Sequence, residues 1–224
     1  MKNVLILVTN HATLGDTDSA NGTYAPELTH VLHELNQANC QYDIASIQGG
    51  NAPLYGTDAE HDPVNDAVLA DDEFQNRIRN TIPYTQISAD KYDAVFYPGG
   101  FGLLSDLASH EPVARLSAAI YEQGGAVAAV CHGPAGLLPI TLSDGSKLID
   151  GKRVTAFTRE EEVDFGTIND IPFLLEEALT RNAGRYEKTG PWQENVIVDG
   201  RVITGQNPQS AHGVGVALVK LLGV

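Results

Sequence analysis

The sequence predicts an α/β fold in which a mostly parallel sheet is covered by helices on both faces. Three observations predict it. Short Val- and Ile-rich runs alternate with segments of helical periodicity along the chain. Several of those runs are apolar throughout, as expected of strands buried on both faces. No internal repeat, low-complexity tract or linker divides the 224 residues, which suffice for one sizeable core.

The elements follow in order. VLILV (4–8) reads as a first, fully buried strand; its five apolar residues are too few for a signal peptide, and no small-residue cleavage site follows a longer apolar region. APELTHVLHELNQAN (25–39) places Leu28, Val31, Leu32 and Leu35 at helical spacing, with Pro26 in the first turn. YDIASI (42–47) is the next strand, followed by a polar stretch with Pro53, Gly56 and Pro63 and a helix near 66–80. YDAVFYPGG (92–100) is a strand ending in a glycine pair, and EPVARLSAAIYEQGG (111–125) a helix closed by glycine. AVAAV (126–130) and RVTAF (153–157) are further strands, the second preceding the acidic run TREEEVDFG. IPFLLEEALTRNAG (171–184) is an amphipathic helix with a glycine stop. NVIVDGRVITG (195–205) carries Asp199-Gly200 between two alternating runs, a hairpin signal, and NPQSAHGVGVALVKLL (207–222) closes the chain as a helix. We read one domain, 1–224, with insertions at 49–65 and 158–193.

Composition bounds the function. The net charge of −15, from 14 basic and 29 acidic side chains, argues against a nucleic-acid partner, because no basic cluster could displace condensed counterions. No stretch approaches the roughly 20 apolar residues of a membrane helix. Two cysteines make no disulfide framework, so an acidic protein of the cytoplasm is expected.

The chemistry concentrates at AVAAVCHGPAGLL (126–138). Ligands of such sheets sit beyond the carboxyl ends of the strands, where Cys131 falls. Ala129 and Gly133, two residues to either side, match the small-x-nucleophile-x-small pattern of a sharp strand-to-helix turn, and Pro134 suits a first helical turn. A helix N-terminus there would lower the thiol pKa, and its free N–H groups would hold an oxyanion. Gly99-Gly100, after the neighbouring strand, could add a backbone donor. Cys40, in a helix-to-strand connector without companions, reads as structural, and His132 by itself could simply cap or fill.

AVCHGPAGLL, YDAVFYPGGFGLLSDL and GPWQENVIVDGRVITGQNPQSAH together resemble the ThiJ/PfpI superfamily, related to class I glutamine amidotransferases. Within it they are similar to the branch of heat-shock-type chaperones and glutathione-independent glyoxalases (glyoxalase III). The resemblance implies a flavodoxin-like three-layer sandwich with a nucleophile elbow. It makes Cys131 the nucleophile, His132 its partner, Glu162 the third member, with Glu160 and Glu161 as neighbouring alternatives, and Glu27 the acid beside the thiol. His30 matches a further recurring position. Phe101 stands where the family often has histidine, and Val31 where a proline often follows His30.

The activity so implied is conversion of methylglyoxal, or another 2-oxoaldehyde, to D-lactate or the matching 2-hydroxy acid. It proceeds through a Cys131 hemithioacetal whose oxyanion rests on the Gly100 and His132 N–H groups, with no metal or organic cofactor. The implied partner is a small aldehyde, and the implied assembly a homodimer. A stress chaperone, redox sensor or protein deglycase using the same cysteine is the alternative. An amidotransferase is disfavoured because no His-x-Glu pair occurs, and a peptidase because such members tend to be shorter and lack the GPW…NPQSAH segment.

Overall fold

The computed structural model describes residues 1–58 and 61–224. Its centre is a seven-stranded sheet of β1 (Asn3–Leu7), β2 (Gln41–Ser46), β3 (Ile82–Pro83), β4 (Ala94–Tyr97), β5 (Ala126–Val130), β6 (Val196–Asp199) and β7 (Val202–Gly205). The spatial order is β6–β7–β5–β4–β1–β2–β3. All neighbours are parallel except the β6–β7 hairpin, in which Asp199 faces Val202. The chain runs outward from β1 through β2 to β3, then returns to β4 on the other side of β1. That reversal opens a crevice at the carboxyl ends of the strands.

Side chains sort by the two-residue period of the strands. Leu5 and Leu7 join Val95, Tyr97, Val127 and Ala129 on one face. There they meet Val113 and Ile120 of α4 (Glu111–Glu122) and Leu175 and Leu179 of α6 (Leu175–Asn182). Val4 and Ile6 join Ala94, Phe96, Ala126 and Ala128 on the other, under α1 (Ala25–Gln37) and α7 (Ala211–Leu222). Leu28, Val31, Leu32 and Leu35 of α1 are fully buried, as their spacing predicts, each stabilising the fold by about 1.5–3 kcal/mol. Among the described residues, no helix is long and apolar enough to cross a membrane.

Several expected elements change shape. The helix near 66–80 is two, α2 (Pro63–Leu69) and α3 (Asp72–Arg79), because the Asp71 carboxyl caps the second by accepting from the Glu73 and Phe74 N–H groups. The strand at 153–157 shrinks to Arg153–Val154, paired with Arg185–Tyr186 outside the central sheet. Both edges of β5 are already taken by β4 and β7, so the rest of that run is held by single bonds, Thr155 N–H to Thr204 Oγ1 and Phe157 N–H to the Cys131 carbonyl. The segment after Cys131 is a 3₁₀ turn, Gly133–Leu137, rather than an α-helix. The helix expected at 171–184 is confined to α6, and that at 207–222 begins as a 3₁₀ turn, Pro208–Ser210. The stretch at 158–193 contains α5 (Arg159–Phe165), α6 and the Arg185–Tyr186 strand. The stretch at 49–65 contains the short strand Leu54–Tyr55 and the start of α2; its residues 59 and 60 lie outside the described residues.

Candidate active site

The site begins with a strained turn. Cys131, directly after β5, has φ of 60°, a left-handed conformation that costs a side-chain-bearing residue about 1–2 kcal/mol. Backbone bonds hold it there: its N–H donates to the Gly205 carbonyl at 2.9 Å, and its carbonyl accepts from Phe157 N–H at 3.0 Å. Gly133 makes the turn possible, since a Cβ at that position would lie 2.2 Å from the Tyr97 carbonyl oxygen. The small residue two positions after the cysteine is therefore a steric requirement.

Cys131 Sγ lies 3.3 Å from His132 Nδ1, and His132 Nε2 lies 2.7 Å from Glu162 Oε1. A carboxylate only accepts, so Nε2 carries the proton toward Glu162 and Nδ1 is left to accept from the thiol. The other Glu162 oxygen accepts from the Thr167 hydroxyl. Phe101 and Phe157 flank the imidazole, with ring centroids 4.3 and 4.6 Å from it. The imidazole and the Glu162 carboxyl are both buried, so the line is screened from water.

The three consecutive glutamates of α5 separate cleanly. Glu160 is exposed and pairs with Lys188 at 2.8 Å. Glu161 turns into the protein, where its Oε2 accepts from Thr158 N–H and Oγ1, both at 2.8 Å. Its Oε1 accepts from Trp192 N–H at 2.9 Å, Asn207 Nδ2 at 2.8 Å and Gln206 Nε2 at 3.2 Å. Glu162 is the one that reaches His132. Successive helical residues differ by about 100° in direction, so three neighbours meet three environments. Glu161→Ala strands several buried donors, each worth about 1–3 kcal/mol, so a loss of about 3 kcal/mol is expected in urea unfolding. A loss below about 1 kcal/mol would contradict the role given to this carboxyl.

Glu27 approaches from the opposite side. It is 0% exposed, and neither carboxyl oxygen meets hydrogen-bond geometry with a protein group. Burial pushes its pKa up to about 8; the nearby Cys131 side chain and Gly99 amide offset this only in part. Gly99 is needed here, because a Cβ on it would lie 2.0 Å from Glu27 Oε2. Its amide thus faces Glu27, whereas Gly100 and His132 have N–H groups with no acceptor among the described residues. Burial and the Glu27 charge also raise the Cys131 thiol well above its usual value. This reverses the expected lowering: the following turn is short, and desolvation beside a carboxyl outweighs it.

Cys131, His132 and Glu27 open on a cavity of about 140 Å³ walled by Tyr24, Tyr55, Phe101, Phe157, Phe165 and Trp192. Pockets for drug-sized ligands measure roughly 300–1,000 Å³, so this one suits a molecule of a few heavy atoms. His30 does not join it; its Nε2 pairs with Asp62 at 2.8 Å, outside the cavity lining. A larger recess of about 550 Å³ lies at the opposite ends of the strands, lined by Lys2, Asp93, Gly125 and Arg201, with no cysteine, serine, threonine or histidine in its lining. Among the described residues, no cluster of three His, Cys, Asp or Glu side chains could hold a metal ion.

Sequence reasoning missed Thr167, the Glu161 hub and most of the aromatic wall. The capping-box spacing of Thr158 and Glu161 could have identified Glu161 as structural. No local signal marks Tyr55 or Thr167, which arrive from the short strand Leu54–Tyr55 and from the loop after α5.

A cysteine elbow at the end of a parallel strand, with a histidine beside it and a buried acid facing the thiol, defines a class of α/β proteins. The chain belongs to the DJ-1/PfpI family, whose profile matches residues 19–221. It is 30% identical over 237 aligned residues to the glutathione-independent glyoxalase HSP31 of Saccharomyces cerevisiae, covering 99% of this chain and 98% of that protein. The crystal structure of glyoxalase III from Candida albicans superposes with a TM-score of 0.85 at 25% identity, covering 98% of this chain and 97% of that one. Rapid Encystment Protein 24 kDa of Francisella tularensis superposes with a TM-score of 0.94 at 34% identity over 99% of both chains.

Proposed function

We propose that this protein is a glutathione-independent glyoxalase that converts methylglyoxal and similar 2-oxoaldehydes to 2-hydroxy acids, D-lactate in the case of methylglyoxal. The observation that carries the reading is the Cys131–His132–Glu162 line facing Glu27 across a small aromatic-walled cavity. Relatives matching nearly the full chain bear glyoxalase names, which supports it.

The residues supply each step. Cys131 sulfur adds to the aldehyde carbon C1; the thiol proton leaves to His132 Nδ1, and the aldehyde electron pair moves onto oxygen. The Gly100 and His132 N–H groups hold that oxygen until His132 returns the proton to it. Glu27, as carboxylate, takes the C1 proton, giving an enediol, and delivers it to C2 while the hydroxyl proton on C1 passes to the C2 oxygen. The product is a thioester of the 2-hydroxy acid. Water, deprotonated by His132, cleaves it and restores the thiol. The sum is addition of one water with no external oxidant. Glu162 fixes the histidine tautomer throughout.

A redox-sensor role would use the same thiol; the small aromatic-walled cavity beside it, sized for a molecule of a few heavy atoms, favours the enzymatic reading. The test is to incubate the protein with methylglyoxal, without glutathione, and assay D-lactate enzymatically. Absence of lactate overturns the proposal.

A further inference from the structure

Two tyrosines share the cavity with the catalytic groups without a part in the chemistry so far. Thr23–Tyr24 and Leu54–Tyr55 form a two-residue parallel ladder apart from the main sheet, with Tyr24 opposite Tyr55. Residues directly opposite in a ladder point to the same side. The two rings accordingly lie 5.0 Å apart, and both line the cavity with Glu27 and Cys131. The ladder is anchored to the catalytic loop, since Tyr24 N–H donates to the Gly99 carbonyl at 3.0 Å. Tyr24 also stands three residues before Glu27 at the start of α1.

The hydroxyl groups of Tyr24 and Tyr55 have no hydrogen-bond partner among the described residues. Tyr92, Tyr97 and Tyr186 bond Asp43, Ser117 and the Ala156 carbonyl, and of the remaining tyrosines only Tyr24 and Tyr55 line the cavity that holds Cys131. Both residues are part-buried and line the cavity, so each hydroxyl is available to donate to a ligand bound there. Burial and the nearby Glu27 and Cys131 raise the pKa of both phenols, so they remain neutral donors.

The substrate class presents a matching acceptor. Once the aldehyde oxygen sits on the Gly100 and His132 amides, the adjacent C2 oxygen needs its own donor. Trp192 Nε1 is already bonded to Asp164, and Gln209 is exposed at the rim, which leaves the two phenols. We propose that Tyr55 and Tyr24 are substrate-binding catalytic residues that donate hydrogen bonds to the C2 oxygen of the Cys131-bound 2-oxoaldehyde. As Glu27 takes the C1 proton, that electron pair forms the C1–C2 double bond and the C2 carbonyl pair moves onto its oxygen. The neutral phenols stabilise the charge there without giving up their own protons. The inference rests on the glyoxalase reading of this site.

The test compares wild type, Tyr24→Phe, Tyr55→Phe and the double variant in D-lactate formation from methylglyoxal. The rate of Cys131 alkylation by iodoacetamide is measured alongside. The double change is expected to lower kcat about 100-fold or more, the range for a lost oxyanion donor, and each single change less, about 10-fold, because the other phenol still donates. Alkylation should stay within about twofold, since the thiol, His132 and Glu27 are untouched; that readout also shows that the elbow has folded. A wild type that makes lactate, with a double variant retaining kcat within about twofold and normal alkylation, overturns the tyrosine assignment alone. A wild type that makes no lactate overturns the glyoxalase reading and this inference with it.

Discussion

Glu27→Gln is expected to give a protein that is more stable than the wild type at neutral pH and makes almost no lactate. The stability arm follows from linkage. The carboxyl is fully buried without a hydrogen-bond partner, and burial raises its pKa from an ordinary 4.5 to about 8. The folded state therefore binds this proton more tightly than the unfolded chain. The resulting stabilisation is complete below about pH 4.5 and is lost as pH rises toward about 8. Each pH unit in that window removes about 1.4 kcal/mol, so at pH 7 the wild type has lost about 3 kcal/mol. Glutamine is neutral throughout, so the variant should exceed the wild type by up to about 3 kcal/mol at pH 7, less the desolvation of its amide. The advantage should vanish near pH 4.5. Urea unfolding across this range reads it, and a pH-independent difference would remove the buried-acid account. The activity arm is a fall in kcat of about 10³-fold or more, because the group that moves the C1 proton is gone, while Cys131 remains alkylatable. In the wild type, kcat/KM should rise with pH through about 8 as the Glu27 carboxylate forms. A gain of charged base and a loss of folding stability are thus two readings of one titration.

Cys131→Ala should reduce lactate formation to background, a fall of about 10⁴-fold or more, since no other group in the cavity can carry the covalent intermediate. The variant should unfold cooperatively near the wild-type midpoint, because alanine keeps the same strained backbone at φ of 60°. Cys131→Gly separates strain from chemistry. It should be equally inactive yet more stable by about 1 kcal/mol, as glycine adopts that conformation freely. Lactate formation by Cys131→Ala within tenfold of wild type would remove the thiol from the mechanism. A destabilised glycine variant would remove the strain argument.

The elbow was legible because it is a local steric statement. Ala129, Cys131 and Gly133 must follow in that spacing for a strand to turn so sharply, and the structure supplies the reason in the Tyr97 carbonyl beneath Gly133. The burial of β1 and the inner face of α1 were equally legible, since periods of two and 3.6 residues record which side faces a core. Where such a period was overridden, a nonlocal competitor was responsible. The Asp71 cap split one helix, and the occupied edges of β5 kept residues 155–157 out of the sheet.

The chemistry of the site divides the same way. The sequence by itself determined the position of the cysteine, the histidine beside it and a run of three acids, because each is contiguous in the chain. Only the tertiary structure decided which acid meets the histidine: Glu162 faces the imidazole, Glu161 binds the Trp192 and Asn207 loops, and Glu160 stays on the surface. It also placed His30 against Asp62, outside the cavity lining, and brought Tyr55 to the cavity. Above all it reversed the thiol's pKa. A turn's N–H groups can be read from neighbours in sequence, but desolvation and a facing carboxyl are set by residues about a hundred positions away.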